Sequence, residues 1–148
     1  MGTTKDETNN LPGTVFSDDE FLRYMELREA EKHPMITKEQ MAYYMVWLLW
    51  KEPAGTAYAV LLDKRRRFLK SIKLKDSGRW QSQFFGMLEE ERDRMDAAYY
   101  FVGHNHVNNP LIPSLEDREI TAAMVNWKGM TFQGHFITDS ALDFTEIE

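Results

Sequence analysis

The segment 56–75, "TAYAVLLDKRRRFLKSIKLK", is the feature that most constrains the fold of this chain. Its first part, Thr56–Asp63, is a nearly continuous apolar run, which predicts a buried strand. The basic run Lys64–Arg67 then predicts a turn. Residues 68–75 alternate between apolar and polar side chains, which predicts a second strand. The segment as a whole therefore predicts a β-hairpin that the rest of the chain must cover.

The rest of the chain alternates between helical and extended patterns. Capping boxes, in which Ser or Thr is followed three residues later by Glu or Gln, predict helix starts at Ser17 and Thr37. The predicted elements are helices over 17–32 and 37–50, the hairpin, a helix over 81–96, a strand over 97–103, a helix after Ser114 and a strand over 130–139. Apolar spacing marks the buried face of the last helix: Ile120, Ala123, Met124 and Trp127. This order predicts an α/β fold.

Length and composition predict one domain. The chain has 148 residues, of which 43% are hydrophobic, enough for a real core. Polar residues 1–13 predict a flexible tail, followed by a single domain over 14–148, with N-terminal helices over 14–50 and a core over 52–148. The N-terminus lacks the apolar stretch of a signal peptide. The longest apolar run, Met41–Trp50, is too short to cross a membrane. These features predict a soluble, cytoplasmic protein.

Charge and cysteine content narrow the partners and the metal chemistry. The net charge of −6 disfavours general nucleic-acid binding but leaves a specific contact open. We interpret Lys64–Arg67 as a solvated turn, and we expect Asp63 to stabilise it. The chain has no cysteine, which rules out disulfides and thiolate metal ligands. Any metal ligand must therefore come from histidine, aspartate or glutamate.

The stretch "HNHVNNPLIPSLED", residues 104–117, contains such ligands. On an extended chain His104 and His106 point to the same side, where both imidazoles can bind one ion. Asp117 can supply a third ligand from the start of the next helix, and a catalytic Zn²⁺ site uses three protein ligands and a water. Ser114 can donate a hydrogen bond to that water or to an oxyanion. Ser114 and Asp117 also form a capping-box pattern, which is compatible because the cap would aim Asp117 at the histidines.

With its full spacing, this stretch resembles the JAMM motif of the JAB/MPN metallohydrolases. Within that superfamily the chain is most similar to the bacterial RadC branch, through "AYAVLLDKRRRFL", "YYFVGHNH" and "FQGHFIT", over about Glu52 to Thr138. The resemblance implies a cytidine deaminase-like α/β fold, with a mixed sheet flanked by helices. It implies zinc bound by His104, His106 and Asp117, with Ser114 as the oxyanion or water-positioning residue. The implied activity is hydrolysis of a peptide or isopeptide amide, including ubiquitin-like tails.

Two departures from the family pattern leave the activity open. Val107–Asn109 replaces the usual Pro-Ser-Gly after the histidines. The family also uses a glutamate as general base, and its expected position here is Gly55, so Glu52 is the nearest acid. Glu52 is either that base, if the "EPAG" segment is shifted, or a surface residue at the helix exit.

Without such a base, hydrolysis should fall by about 10²–10⁴-fold. The chain is in that case a zinc-binding but catalytically weak or inactive interaction module. A separate alternative is a DNA-repair-associated RadC-like protein. His135, in the middle of the last predicted strand, is interpreted as a structural histidine rather than a ligand.

Overall fold

The structure, a computed structural model, describes residues 37–50, 52–74, 83–106, 111–139 and 141–147. The predicted tail and the predicted helix over 17–32 lie outside these residues. The described elements are α1 (Lys38–Leu49), β1 (Ala57–Leu62), β2 (Phe68–Leu74), α2 (Phe84–Met95), β3 (Tyr99–Asn105), α3 (Leu115–Asn126), β4 (Thr131–Thr138) and β5 (Phe144–Glu146). None of these three helices has the length and apolar character needed to span a membrane.

The five strands form one mixed sheet in the order β2-β1-β3-β4-β5. β1 pairs antiparallel with both β2 and β3, and β4 pairs antiparallel with β5. β3 and β4 are parallel and are joined through α3, as a crossover connection requires. The predicted α/β class and the predicted mixed sheet flanked by helices are therefore confirmed.

Strand β5 was not predicted from the sequence. It has only three residues and pairs with the end of β4. The turn before it is held by the Asp139 carboxylate, which accepts hydrogen bonds from the backbone N–H groups of Ala141 and Asp143. A strand this short has too few residues for an alternating pattern to be recognised.

The hairpin β1–β2 has the predicted turn chemistry. The Asp63 carboxylate accepts hydrogen bonds from the backbone N–H groups of Arg65 and Arg67 and from Arg67 Nε, at 2.7–2.9 Å. These contacts confirm that Asp63 stabilises the turn. Arg66 instead donates to Gln133 Oε1 at 2.7 Å. One basic side chain of the run therefore makes a partly buried contact with β4.

The sheet has apolar cover on both faces. Helix α1 packs on one face, where its side chains meet Val60, Leu62, Phe101 and Phe136. Helices α2 and α3 pack on the other face, against side chains that include Ala57, Ala59, Leu61 and Val102. Strand β1 is therefore buried on both sides, which is the physical reason for its continuous apolar sequence. The two faces are called the α1 face and the α3 face below.

The predicted buried face of helix α3 is confirmed at three of its four residues. Met124 is buried, and Ile120 and Trp127 are partly buried against the same core cluster. Ala123 is exposed, so the prediction is wrong at that position, and Asp117 and Thr121 are buried instead. The capped start of the helix directs a carboxylate and a hydroxyl toward the sheet, and these polar groups take positions that an apolar stripe would otherwise occupy.

Candidate metal centre

The end of β3 sends alternate side chains to opposite faces of the sheet. His104 is the register partner of Ala57, and its side chain lies on the α3 face. Gly103 lies on the α1 face, where an added Cβ would come within 2.6 Å of the Met45 Sδ atom. Asn105, which follows His104, lies on the α1 face again, and His106 lies on the α3 face with His104. The H-x-H spacing thus brings both imidazoles to one side.

The Ser114 cap brings Asp117 to the same side. The Ser114 hydroxyl accepts a hydrogen bond from the Asp117 backbone N–H at 3.0 Å. In return the Asp117 carboxylate accepts from the Ser114 backbone N–H at 2.9 Å. This reciprocal capping box is the predicted one, and it fixes the rotation of the first helical turn. Asp117 is only 6% exposed, so the cap holds a carboxylate in the interior.

The three side chains converge on one point. The Nε2 atoms of His104 and His106 are 3.1 Å apart. His104 Nε2 lies 3.2 Å from Asp117 Oδ1, and His106 Nε2 lies 3.3 Å from Asp117 Oδ2. Among the residues that the structure describes, these three form the one group of His, Asp or Glu side chains with the spacing to hold a metal ion. The sequence motif named the same three residues.

The charge of Asp117 is stabilised where it lies. Burial by itself would raise the pKa of this carboxyl, because an anion loses water there. The neighbouring His104 ring and the backbone N–H of Ser114 outweigh burial and hold the pKa well below its ordinary value. Asp117 is therefore an anion throughout the physiological pH range and is ready to bind a cation.

His135 lies directly behind His104. Its Nε2 atom is 2.8 Å from His104 Nδ1, on the side of the ring away from Asp117. Its Nδ1 atom is 2.8 Å from the Thr121 hydroxyl. His135 is fully buried, and burial, followed by the nearby His104, lowers its pKa well below the ordinary value. Its contacts are those of the structural histidine that the sequence analysis expected.

Ser114 lies at the exposed rim of this centre. Its oxygen accepts the capping bond, and this leaves the hydroxyl hydrogen to act as a donor. The large apolar side chains of Ile112 and Leu115, 65% and 73% exposed, lie close to it in the chain. The oxyanion role of Ser114 stays a prediction, and its position at the rim is compatible with that role.

The Glu52 carboxylate is engaged on the other face of the sheet. It accepts a hydrogen bond from Lys73 Nζ at 2.8 Å and from the Tyr58 hydroxyl at 3.3 Å. Tyr58 and Lys73 are register partners on β1 and β2, and Tyr58 packs on the α1 face. The structure therefore brings Glu52 to a lysine and a tyrosine, whereas the three candidate ligands meet on the α3 face. The general-base role of Glu52 stays a prediction.

Asn105, between the two histidines, anchors the loop that contains Glu52. Its Nδ2 group donates to the carbonyl oxygens of Glu52 and Pro53, both at 3.0 Å. Its Oδ1 atom accepts from the Thr56 backbone N–H at 3.0 Å. The middle residue of the H-x-H motif thus ties the Glu52 loop to β3 through the loop backbone, while the Glu52 side chain points to Lys73.

Three residues that contact the predicted site residues or their loops were not predicted from the sequence. They are Thr121, Asn105 and Lys73. Thr121 follows Asp117 by four residues and therefore lies on the same helix face, which is a signal that the sequence contained. Asn105 follows from strand alternation, once its neighbours are assigned to the α3 face. Lys73 meets Glu52 through strand pairing, which no local pattern of the sequence shows.

No protein-family model matches this chain, and no curated protein matches it. The resemblance to JAB/MPN domains therefore stays a prediction based on the motif.

Proposed function

We propose that the chain is a zinc-dependent hydrolase of the JAMM type, which cleaves a peptide or isopeptide amide. The observation that carries the proposal is the convergence of His104, His106 and Asp117. Ligand atoms at 2.0–2.1 Å from a tetrahedral zinc lie about 3.3 Å from one another. The two imidazole Nε2 atoms are 3.1 Å apart, and each lies within 3.3 Å of a different oxygen of the Asp117 carboxylate. One ligand atom from each of the three residues lies within 4.8 Å of the others, so small side-chain movements would bring them to that spacing.

The donor set also suits a catalytic rather than a structural zinc. Structural sites in proteins have four protein ligands, whereas catalytic sites have three and keep one position open. Among the described residues the centre has three, and His106 is only partly buried, so one side faces the surface. When bound there, zinc would supply a water of lowered pKa and a Lewis acid for the scissile carbonyl.

The chain's own residues would do the remaining work. Asp117 and the two histidines would hold the metal ion, and the capping box would keep Asp117 from turning away. The Ser114 hydroxyl would donate to the oxygen of the scissile carbonyl as negative charge develops. The exposed apolar side chains of Ile112 and Leu115 would contact a polypeptide substrate beside the site. A JAB/MPN fold close to the RadC branch is part of this proposal.

A second candidate function is a zinc-binding interaction module without hydrolytic activity. The observation that favours it is the position of the Glu52 carboxylate, which pairs with Lys73 and Tyr58 on the α1 face. A general base must lie within one hydrogen bond, or one bridging water, of the proton that it removes. Hydrolysis with Glu52 as the base therefore requires its side chain to leave Lys73.

Zinc binding and cleavage can be tested with the same preparation. Metal-free protein is titrated with Zn²⁺ against a chromophoric chelator, and zinc-loaded protein is incubated with fluorogenic peptide and isopeptide substrates. The proposal expects one tightly bound zinc and cleavage that is lost in His106→Ala. Absence of zinc binding by the wild-type protein would overturn both candidates.

Glu52→Gln separates the two candidates, with Glu89→Gln, an exposed acid on α2, as the matched control. If Glu52 is the base, cleavage falls by about 10²–10⁴-fold in Glu52→Gln and stays unchanged in the control. Zinc binding without cleavage of any substrate in the wild-type protein would favour the interaction module.

A further inference from the structure

We infer that His135 and Thr121 are positioning residues, which set the tautomer of His104 through a buried hydrogen-bond relay. The relay runs from the backbone carbonyl of Asp117 through Thr121 and His135 to His104. His104 in turn contacts the carboxylate of Asp117, so the relay begins and ends on the same residue. Its consequence for metal binding rests on the proposed zinc site, but the tautomer assignment does not.

The position of the first hydrogen follows from two oxygens. Thr121 Oγ1 lies 2.7 Å from the Asp117 carbonyl oxygen, and both atoms are buried. Two oxygens at this distance need a hydrogen between them, and a carbonyl has none to give. The Thr121 hydroxyl therefore donates to Asp117, and its single hydrogen is used there.

The next two hydrogens follow in order. Because the Thr121 hydrogen is used, its oxygen must accept from His135 Nδ1, which lies 2.8 Å away and so carries a hydrogen. His135 is fully buried, which favours the neutral ring with a lone pair on Nε2. That lone pair accepts from His104 Nδ1, also at 2.8 Å. The hydrogen of His104 is thereby placed on Nδ1.

A neutral His104 with its hydrogen on Nδ1 has a lone pair on Nε2. This is the atom that lies 3.1 Å from His106 Nε2 and 3.2 Å from Asp117 Oδ1. A metal ion binds the unprotonated nitrogen, so the relay prepares His104 as a ligand before any ion arrives. If the relay ran in the opposite direction, His104 would carry its hydrogen on Nε2 and would present a donor where a ligand is needed.

The tautomer can be measured without a metal and without a mutation. Long-range ¹H–¹⁵N correlation spectra of the chelator-treated protein, at mildly alkaline pH where imidazoles are neutral, report which ring nitrogen carries hydrogen. We expect hydrogen on Nδ1 in both His104 and His135. Hydrogen on Nε2 of either ring would overturn the inference, whatever the protein does with zinc.

Thr121→Val tests the relay by removing the Thr121 hydroxyl. Thr121→Ser is the matched control, because serine retains a hydroxyl at this position. Valine removes the Thr121 oxygen that accepts from His135 Nδ1, so His135 should move its hydrogen to Nε2 and donate to His104. We expect the Nε2 tautomer of His104 in the spectra and a fall in Zn²⁺ affinity of about 10–100-fold. Thr121→Ser should retain the wild-type tautomer and affinity. An unchanged His104 tautomer in folded Thr121→Val would overturn the inference, as would serine behaving like valine.

These measurements separate this inference from the proposed function. Wild-type protein that has the expected tautomers but does not bind Zn²⁺ would retain the relay and overturn the zinc proposal. Protein that binds Zn²⁺ but carries the His104 hydrogen on Nε2 in its metal-free form would retain the zinc proposal and overturn the relay.

Discussion

Asp117 is a ligand in the recognised motif and Glu52 is the nearest acid to the expected general base, yet the two carboxylates make their contacts on opposite faces of the sheet. The Asp117 side chain is 9% exposed and meets His104 and His106 on the α3 face. The Glu52 side chain is 21% exposed and meets Tyr58 and Lys73 on the α1 face. The difference lies in what positions each residue. A reciprocal cap fixes Asp117 within one helical turn, whereas Glu52 follows a loop whose path depends on distant contacts.

The same three-residue motif connects both regions. The side chains of His104 and His106 turn to the metal centre, and Asn105 turns to the backbone of the Glu52 loop. Strand alternation thus places one site on each face of β3, back to back. The Asp117 carboxylate is held by a reciprocal cap and two histidines, whereas the Glu52 carboxylate is held by Lys73 and Tyr58, and its loop by Asn105. The Glu52 side chain is therefore the part that a substrate could displace.

The largest expected effect is on the metal centre. In Asp117→Asn, the amide oxygen can still accept from the Ser114 backbone N–H, but the anionic ligand is lost. We expect the Zn²⁺ affinity to fall at least about 100-fold. The melting temperature should also fall, because the folded protein stabilises the charged form of Asp117 and the amide carries no charge. Chelator competition measures the affinity, and Glu116→Gln, the exposed neighbour, is the control. Unchanged affinity in Asp117→Asn would remove Asp117 from the ligand set.

Gly103→Ala should disturb both regions together, because Gly103 precedes them on β3. An added Cβ would come within 2.6 Å of Met45 Sδ and 3.1 Å of Met45 Cβ, so the Met45 side chain must change its rotamer and its Cβ must give way slightly. We expect a loss of about 1–3 kcal/mol in the free energy of unfolding, measured by denaturant titration. Gly86→Ala is the control, since nothing lies within 4 Å of its added Cβ. Equal stability of the two variants would contradict the close packing of α1 on β3.

Asn105→Ala should release the Glu52 region and leave the metal centre in place. The variant loses the hydrogen bonds to Thr56, Glu52 and Pro53, which should lower the free energy of unfolding by about 1–2 kcal/mol. Faster amide hydrogen exchange is expected at Thr56, and Zn²⁺ affinity should change by less than about tenfold, below the usual loss for an outer-shell partner. Asn126→Ala, at the exposed end of α3, is the control. A large loss of zinc affinity in Asn105→Ala would mean that the two regions are coupled.

The smallest expected effect reports the Glu52 contacts directly. Burial raises the pKa of Tyr58 above 10.0, and the negative charge of Glu52 raises it further. Glu52→Gln removes that charge and leaves the Lys73 cation, so the Tyr58 pKa should fall. Difference titration of tyrosinate absorbance against the wild-type protein measures the change, with Glu89→Gln as the control. No change in Glu52→Gln would mean that Glu52 lies away from Tyr58 in solution, which would restore it as a candidate base.

Some elements could be predicted because their signals are local. The hairpin followed from an apolar run, a turn and an alternating run, and the helix starts at Thr37 and Ser114 followed from their capping boxes. The candidate ligand set was equally local, because strand alternation and one capped helical turn define the directions of three side chains. Strand β5 was missed because its three residues have no pattern of their own. The predicted buried face of α3 was wrong only at Ala123, where Asp117 and Thr121 are buried in addition to the apolar residues.

By itself, the sequence determined the α/β class, the hairpin and the identity of the residues that form the candidate metal centre. These depend on interactions between residues that are close in the chain. Strands and capped helices have the same local geometry in every protein, so such interactions can be predicted. Only the tertiary structure decided that His135 and Thr121 stand behind His104, and that Lys73 holds Glu52 on the opposite face. Those contacts join residues brought together by strand pairing and helix packing, and the energy that selects them is spread over the whole core.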